Sequence, residues 1–150
     1  TQRDASIEDP TRENVFNVGT IAKVKQVLKL PEKNNRVLIE GVARANIISM
    51  DLNTGYYTSE IMEKDIHISD NGGLKGEALI RETINLFEDY MSNITKISNE
   101  LIMAVQVIDN PGKLADFVAA NLMMKYDLKQ QILEGFDPLK RLEHLCIIIE

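Results

Sequence analysis

Few side chains in this sequence have the types and spacing that catalysis requires. The two histidines, His67 and His144, lie in different halves of the chain, and the only cysteine, Cys146, sits inside an apolar run. A lone histidine or cysteine is more often structural than catalytic, because an activated nucleophile needs a base within hydrogen-bond reach. The chain also has no glycine-rich phosphate loop, no nucleophile elbow and no paired metal-ligand motif. We therefore predict no catalytic, cofactor-binding or metal-binding residue in this chain.

Binding of a polypeptide needs only exposed apolar side chains of adaptable shape, and two pairs of neighbouring residues offer them. Tyr56 and Tyr57 are adjacent in a segment with strand character, so their side chains should point to opposite faces. Met123 and Met124 are adjacent in a segment that we predict to be helical, and methionine adapts to varied partners. Ordinary core packing is the alternative interpretation for both pairs. These four residues are the candidate binding residues of the sequence.

Composition and charge indicate a globular domain in a reducing compartment. The 150 residues are 44% hydrophobic and 27% charged, which is enough for a buried core without disulfide bonds. The net charge of −6 disfavours non-specific binding of nucleic acid or anionic lipid. The apolar runs are too short for a membrane span or a signal peptide. We expect a cytoplasmic protein that has no membrane partner.

The elements that would position the tyrosines are predicted to be strands. Apolar residues alternate with three lysines between Thr20 and Leu30, the period of two that is typical of a half-buried strand. Lys23, Lys25 and Lys29 should share one solvent-facing side, with a phosphate-binding track as the alternative. A turn-rich segment at residues 31–35 predicts a hairpin, and Gly41 a bulge or bend. The predicted extended segments are Thr20–Leu30, Arg36–Glu40, Ala43–Met50 and Tyr56–Ile68.

The hydrophobic period becomes helical after a turn-rich boundary at Ser69–Gly73. Apolar residues from Ile80 to Leu101 follow a 4-3-4-3 spacing, which predicts either one long amphipathic helix or two helices with a fresh start at Ser98–Asn99. Asn110 and Asp137 are each followed by proline and predict further helix starts, and Asp127 is a candidate cap for a short helix between them. We therefore predict an α+β chain, with a β-rich part at residues 1–68 and a helical bundle at residues 69–150.

Five short motifs, taken in order, resemble the amino-terminal domain of Lon-type ATP-dependent proteases. Each string is common by itself, but their order and spacing match over nearly the whole chain. They are Gly19–Val24, Arg36–Ala45, Leu114–Asp116 with Ala119–Ala120, Lys129–Gln130 with Leu133–Glu134, and Asp137 with Arg141–Glu143.

The resemblance implies a β-rich, PUA-like subdomain followed by a helical bundle, in agreement with the change of period at residues 69–73. It implies that the domain recognises unfolded or degron-bearing client proteins and that the other subunits of a homo-oligomeric ring are its partners. ATP, Mg²⁺ and a Ser-Lys peptidase dyad would belong to other modules of a parent serine endopeptidase, because they have no counterpart positions here.

A structural role in assembling the ring through the stripe Ile80–Leu101 is the alternative. RNA binding, known for PUA-like folds elsewhere, is disfavoured by the acidic charge and the absence of tryptophan.

Two features of the chain depart from a complete family member. Members of the family usually begin with an apolar strand or two and a helix that have no counterpart before Thr1. The resemblance therefore implies a β part that lacks its first strands and either associates through an open edge or has lost that segment. The apolar period also continues to Glu150 without a terminating signal, which predicts a parent protein that continues.

Overall fold

A computed structural model describes residues 1–29, 35–53, 55–64, 69–93 and 99–150, and it is an α+β fold. Contacts divide the chain into two units, Thr1–Asp65 and Ile66–Glu150. Short 3-10 turns occur at Arg12–Asn14 and Ser69–Gly72. The strands are β1 (Val18–Lys29), β2 (Asn35–Asn53) and β3 (Tyr56–Glu63), and the helices are α1 (Gly73–Ser92), α2 (Asn99–Gln106), α3 (Pro111–Asn121), α4 (Tyr126–Glu134) and α5 (Pro138–Ile149).

The first unit is built on an antiparallel sheet with the strand order β1-β2-β3. β2 is one strand that continues through Gly41, so the segments predicted at Arg36–Glu40 and Ala43–Met50 are joined. Gly55 has a φ of 85° in the turn from β2 to β3, a conformation that glycine adopts without steric cost. The amino-terminal segment is fastened to β2 by Arg12, whose guanidinium donates to the carbonyl oxygen of Ile47 at 3.0 Å.

Two bulges interrupt the pairing of β1 with β2. One lies where Ile21 faces Ala43 and Ala22 faces Gly41, which confirms the irregularity predicted at this glycine. The other lies between Val24 and Gln26, where Lys25 is the additional residue.

The second bulge places the lysines of β1 on both faces of the sheet. Lys23 lies opposite Glu40, whereas Lys29 lies opposite Asn35. Glu40 and Asn35 are an odd number of positions apart on β2, so their side chains point to opposite faces. The prediction that all three lysines share one face is therefore wrong, because the additional residue at Lys25 reverses the alternation.

The core of the second unit lies between α1, α3 and α5. The stripe that begins at Ile80 faces this core, and the ring of Phe87 packs edge-on against Phe117 with 6.4 Å between centroids. α1 ends at Ser92 and α2 begins at Asn99, so this segment forms two helices, and the predicted stripe residue Ile94 lies outside the described residues. The largest fully buried side chains of this unit are Phe87, Leu114, Leu142, Leu145, Val105, Val118, Thr83 and Pro111.

Side-chain caps begin two of these helices as predicted. The Asn110 carboxamide accepts from the Lys113 N–H at 2.9 Å, and the Asp137 carboxylate accepts from the Leu139 N–H at 3.0 Å. Asp127 does not cap α4, because Lys125 occupies the cap position and Asp127 lies in the first turn. In that position its carboxylate interacts favourably with the positive end of the helix dipole. The prediction of an Asp127 cap is wrong.

Burial of apolar side chains differs between the two units. Among the described residues of the first unit, Val18 and Ala45 are the buried hydrophobic ones, whereas the second unit has a continuous core. Many large apolar side chains of the sheet remain exposed, including Val24, Val27, Val37, Leu38, Ile39, Leu52, Tyr56, Tyr57 and Ile61. None of the described helices has the length and apolar character that a membrane crossing requires.

Candidate functional site

One exposed apolar surface lies where β1 pairs with β2. Val24 is directly opposite Ile39, and Val27 is directly opposite Val37. Directly opposite residues share a face of an antiparallel sheet, and so do residues two apart on one strand. Val24, Val27, Val37 and Ile39 therefore form one apolar surface, which we name the hairpin patch.

A second apolar surface lies where β2 pairs with β3. Ile47 is opposite Ile61, Leu52 is opposite Tyr57, and Met50 shares their face. We name these five residues the β3 patch. Ile47 and Met50 are half-buried, whereas Leu52 is 69% exposed and available to a partner.

The structure separates the two candidate tyrosines in the way that the strand period predicts. Tyr57 belongs to the β3 patch, whereas Tyr56 lies opposite Asn53 on the other face of the sheet. Both side chains are exposed, Tyr56 to 62% and Tyr57 to 41%, so neither fills a core in this unit. Tyr57 has apolar neighbours with which to form a surface, while Tyr56 shares its face with Asp51 and Thr58.

The two candidate methionines lie in the loop between α3 and α4, and their predicted helical position is wrong. α3 ends at Asn121, because Leu122 adopts an extended backbone. The sequence has no glycine or proline at this position to indicate the end of the helix. Met123 is 83% exposed, and its N–H donates to the Tyr90 hydroxyl at 3.0 Å. Met124 packs against the core of the unit. Core packing therefore accounts for Met124, and Met123 offers its thioether to solvent.

The surroundings of Cys146 are those of a core residue. The Cys146 thiol is buried 3.1 Å from the Thr83 hydroxyl, and burial raises its pKa. A protonated, enclosed thiol is a poor nucleophile. His67 lies outside the described residues. Within the described ranges, no three His, Cys, Asp or Glu side chains gather to hold a metal ion.

The hairpin patch was missed at the level of sequence because a bulge hides its periodicity. Val24 and Val27 are an odd number of positions apart, which on a regular strand would put them on opposite faces. The additional residue at Lys25 brings them to the same face. The β-branched pair Val37 and Ile39, two apart on the partner strand, was the signal that could have identified this surface.

Comparison with known proteins agrees with the sequence resemblance. A family model described as the ATP-dependent protease La (LON) substrate-binding domain matches residues 1–150. The Lon protease of Desulforamulus reducens is 38% identical over 149 residues, which are 99% of this chain and 18% of that protein. Lon protease 1 of Bacillus subtilis is 42% identical over 149 residues, which are 99% of this chain and 19% of that protein. The chain thus spans about a fifth of the length of these curated relatives.

Solved structures share the fold. The N-terminal domain of Mycobacterium avium complex Lon protease matches with a TM-score of 0.73 and 20% identity, over 93% of this chain and 73% of that one. A Lon N-terminal domain protein from Xanthomonas campestris matches with a TM-score of 0.59 and 14% identity, over 92% of this chain and 71% of that one. At these identities the likeness concerns the fold alone. The family model covers every residue of the sequence, and the chain therefore belongs to the family of Lon substrate-binding domains.

Proposed function

We propose that this chain is a non-catalytic substrate-recognition domain of an ATP-dependent Lon protease, which binds unfolded or degron-bearing client proteins for degradation. The observation that carries the proposal is the exposed apolar surface of the sheet, in a chain whose family is that of Lon substrate-binding domains. Monomeric proteins rarely leave contiguous apolar surface uncovered without a use for it.

The physical basis of recognition is the surface that unfolding exposes in a client. A folded protein buries most of its apolar side chains, whereas an unfolded one presents them in extended segments. Shallow patches with adaptable side chains accept many such segments, each with low affinity. Several copies of the domain in a ring would raise the avidity without any new contact.

Tyr57 is the candidate contact with the best surroundings. Its ring lies opposite Leu52, and Ile61 lies on the same face of β3. Tyr57 is 41% exposed, so covering the rest of its ring with a partner contributes roughly 1 kcal/mol. Tyr56 and Met123 are exposed and remain candidate contacts, whereas Met124 would act by supporting the loop that presents Met123.

The remaining features of the proposal concern the parent protein. The β unit would be a PUA-like subdomain at residues 1–68, and α1 to α5 would form a bundle subdomain at residues 69–150. ATP and Mg²⁺ would act in an ATPase module and a serine dyad in a peptidase module of the same polypeptide, in the cytoplasm. Other subunits of the ring would be partners of the parent protein.

Ring assembly through the α1 stripe is the alternative function, and the packing of that stripe counts against it. Phe87 and Met91 are buried in the core of their own unit, and Ile80 and Ile84 pack against it. This part of the stripe is therefore occupied mainly by the core of its own unit. Assembly would have to use a different surface of the domain.

Binding of this chain to one model protein in two states tests the proposed function. Fluorescence anisotropy would compare a labelled, reduced and carboxymethylated protein with its native disulfide-bonded form at fixed salt. We expect saturable binding of the unfolded form and at least tenfold weaker binding of the native form, because only the unfolded form exposes apolar segments. Equal affinity for the two forms, or no binding of either, would contradict the proposal.

A further inference from the structure

The hairpin patch has the spacing that an extended polypeptide presents. Its four side chains are between 46% and 61% exposed, so each has surface left for a partner. Val37 and Ile39 are two residues apart on β2, which separates them by about 6.6 Å. Alternate side chains of an extended client repeat at the same interval. β-branched side chains are also stiff, so their immobilisation costs little conformational entropy.

The same hairpin is basic in a chain that is acidic as a whole. β1 and residues 35–41 carry four cationic side chains, Lys23, Lys25, Lys29 and Arg36, and one acidic one, Glu40. The complete chain has a net charge of −6. Lys25 pairs with Glu40, whereas the other three cations have no ion pair with a described residue. Their charge is available to a bound partner.

The bulge at Lys25 distributes these cations around the patch. Lys29 lies opposite Asn35, on the face of Val37 and Ile39, while Lys23 and Arg36 belong to the other face. Long lysine and arginine side chains reach past the strand that carries them and keep their charge in water. Lys29 therefore places positive charge beside an apolar segment on the patch, and Lys23 and Arg36 add positive charge from the other face of the same two strands.

We infer that the β1–β2 hairpin selects extended apolar client segments that carry acidic residues. The inference rests on the proposed function and adds to it the charge of the preferred client. The four apolar side chains of the hairpin patch supply the contact area, Lys29 supplies positive charge on the same face, and Lys23 and Arg36 add to that charge from the other face. Charge complementarity of this kind fixes the choice of partner and speeds encounter.

Two other anionic partners fit the hairpin less well. Single-stranded nucleic acid binds where aromatic rings stack on the bases, and neither β1 nor residues 35–41 contain an aromatic residue. An anionic lipid surface would repel the acidic remainder of the chain. A polypeptide segment places its few carboxylates beside the hairpin cations without that repulsion.

The edge of the sheet is a poorer docking site than its face. Among the described strands β1 lies at the edge of the sheet, and its lysines and the bulge at Lys25 are devices by which proteins discourage the addition of a foreign strand. The client should therefore lie across the side chains of the hairpin patch and not extend the backbone ladder.

Three labelled peptides test the charge preference. They share one apolar sequence and differ at alternate positions, which are Glu, Ser or Lys, and their dissociation constants are measured by anisotropy at two salt concentrations. We expect the Glu peptide to bind about tenfold more tightly than the Lys peptide, with Ser between them. The ratio should shrink at high salt, because salt screens exposed charges.

A charge-reversal variant and a matched control assign the preference to the hairpin. Lys23→Glu with Lys29→Glu should abolish or reverse the order of the three peptides. Lys113→Glu with Lys140→Glu changes the net charge equally at exposed positions of α3 and α5, and should leave the order unchanged. An unchanged order in the hairpin variant would overturn the inference.

The apolar contribution is tested in the same way. Val37→Ser with Ile39→Ser should weaken binding of all three peptides, whereas Ile147→Ser on the exposed side of α5 should not. Because Cys146 is buried, a single thiol introduced by Val37→Cys would be the accessible one. The Glu peptide should slow maleimide labelling of that thiol in the otherwise intact domain, and unchanged labelling would contradict the inference.

The outcomes separate this inference from the proposed function. Equal affinity for the three peptides, together with binding of unfolded protein, would overturn the charge preference and leave client recognition standing. Absence of binding to the peptides and to unfolded protein would overturn both. Tighter binding of phosphatidylserine vesicles or of an unstructured RNA than of the Glu peptide would replace the polypeptide with that partner.

Discussion

At the scale of single residues, two adjacent tyrosines have different surroundings although both are exposed. Tyr57 lies on the apolar face with Leu52, whereas Tyr56 lies on the face of Asp51. We expect Tyr57→Ser to weaken the binding of unfolded protein about five- to tenfold and Tyr56→Ser less than threefold, because only Tyr57 loses a shared apolar surface. Anisotropy titrations of the two variants check this. Equal losses would indicate that the β3 patch does not act as a unit.

The buried thiol of Cys146 makes the stability of the domain depend on pH in the alkaline range. Burial raises its pKa above the ordinary value of 9.0, while the hydrogen bond with Thr83 acts in the opposite direction. The folded chain therefore keeps the thiol proton at pH values where the unfolded chain releases it. The free energy of unfolding should fall as the pH rises above the ordinary thiol pKa and through the raised one.

Urea unfolding at about pH 8 and about pH 10 measures this effect. The informative quantity is the difference between the unmodified chain and Cys146→Ala, because contributions from the other side chains cancel in it. We expect the variant to lose less stability between the two pH values. The same loss in both proteins would show that the thiol titrates alike in the folded and unfolded chains.

At the scale of elements, the helix caps give a paired prediction. Asp137→Ala should destabilise the second unit by about 1 kcal/mol, because its carboxylate accepts from the N–H groups of Leu139 and Lys140. Asp127→Ala is the matched control, because this aspartate lies in the first turn of α4 and should contribute a few tenths of a kcal/mol through the helix dipole. Thermal unfolding of both variants checks the order, and a larger loss at Asp127 would contradict the assigned cap.

Regular periodicity could be predicted from the sequence, and local irregularities could not. The existence of the strand β1, the caps at Asn110 and Asp137 and the change of period near residue 69 each follow from the types of neighbouring residues. The bulge at Lys25 depends on how β2 pairs with β1. The residues of β1 alone do not show that pairing. For the same reason the hairpin patch was missed. The loop position of Met123 was also missed, because Leu122 ends α3 without a glycine or a proline.

At the scale of the whole molecule, the two units differ in what holds them together. The core residues of the second unit all lie between Phe87 and Leu145 in the sequence, within Ile66–Glu150. We expect a fragment of residues 66–150 to fold without the sheet and to unfold cooperatively, because a core of this kind stabilises a domain of similar size. Circular dichroism during heating checks this. A gradual loss of helix signal without a transition would mean that the helices depend on the first unit.

The sparse burial in the sheet also has a consequence for evolution. A substitution at a buried position such as Leu114 or Leu142 creates a cavity and costs several kcal/mol, so selection for folding restricts it. A substitution at an exposed position of the sheet changes stability by about 0.5 kcal/mol or less. The helices should therefore diverge slowly under the demands of folding, while the exposed face of the sheet is free to drift and to acquire new binding preferences. Variation among natural sequences at Val24, Val37 and Leu52 should follow the choice of client, and variation in the core should follow side-chain volume.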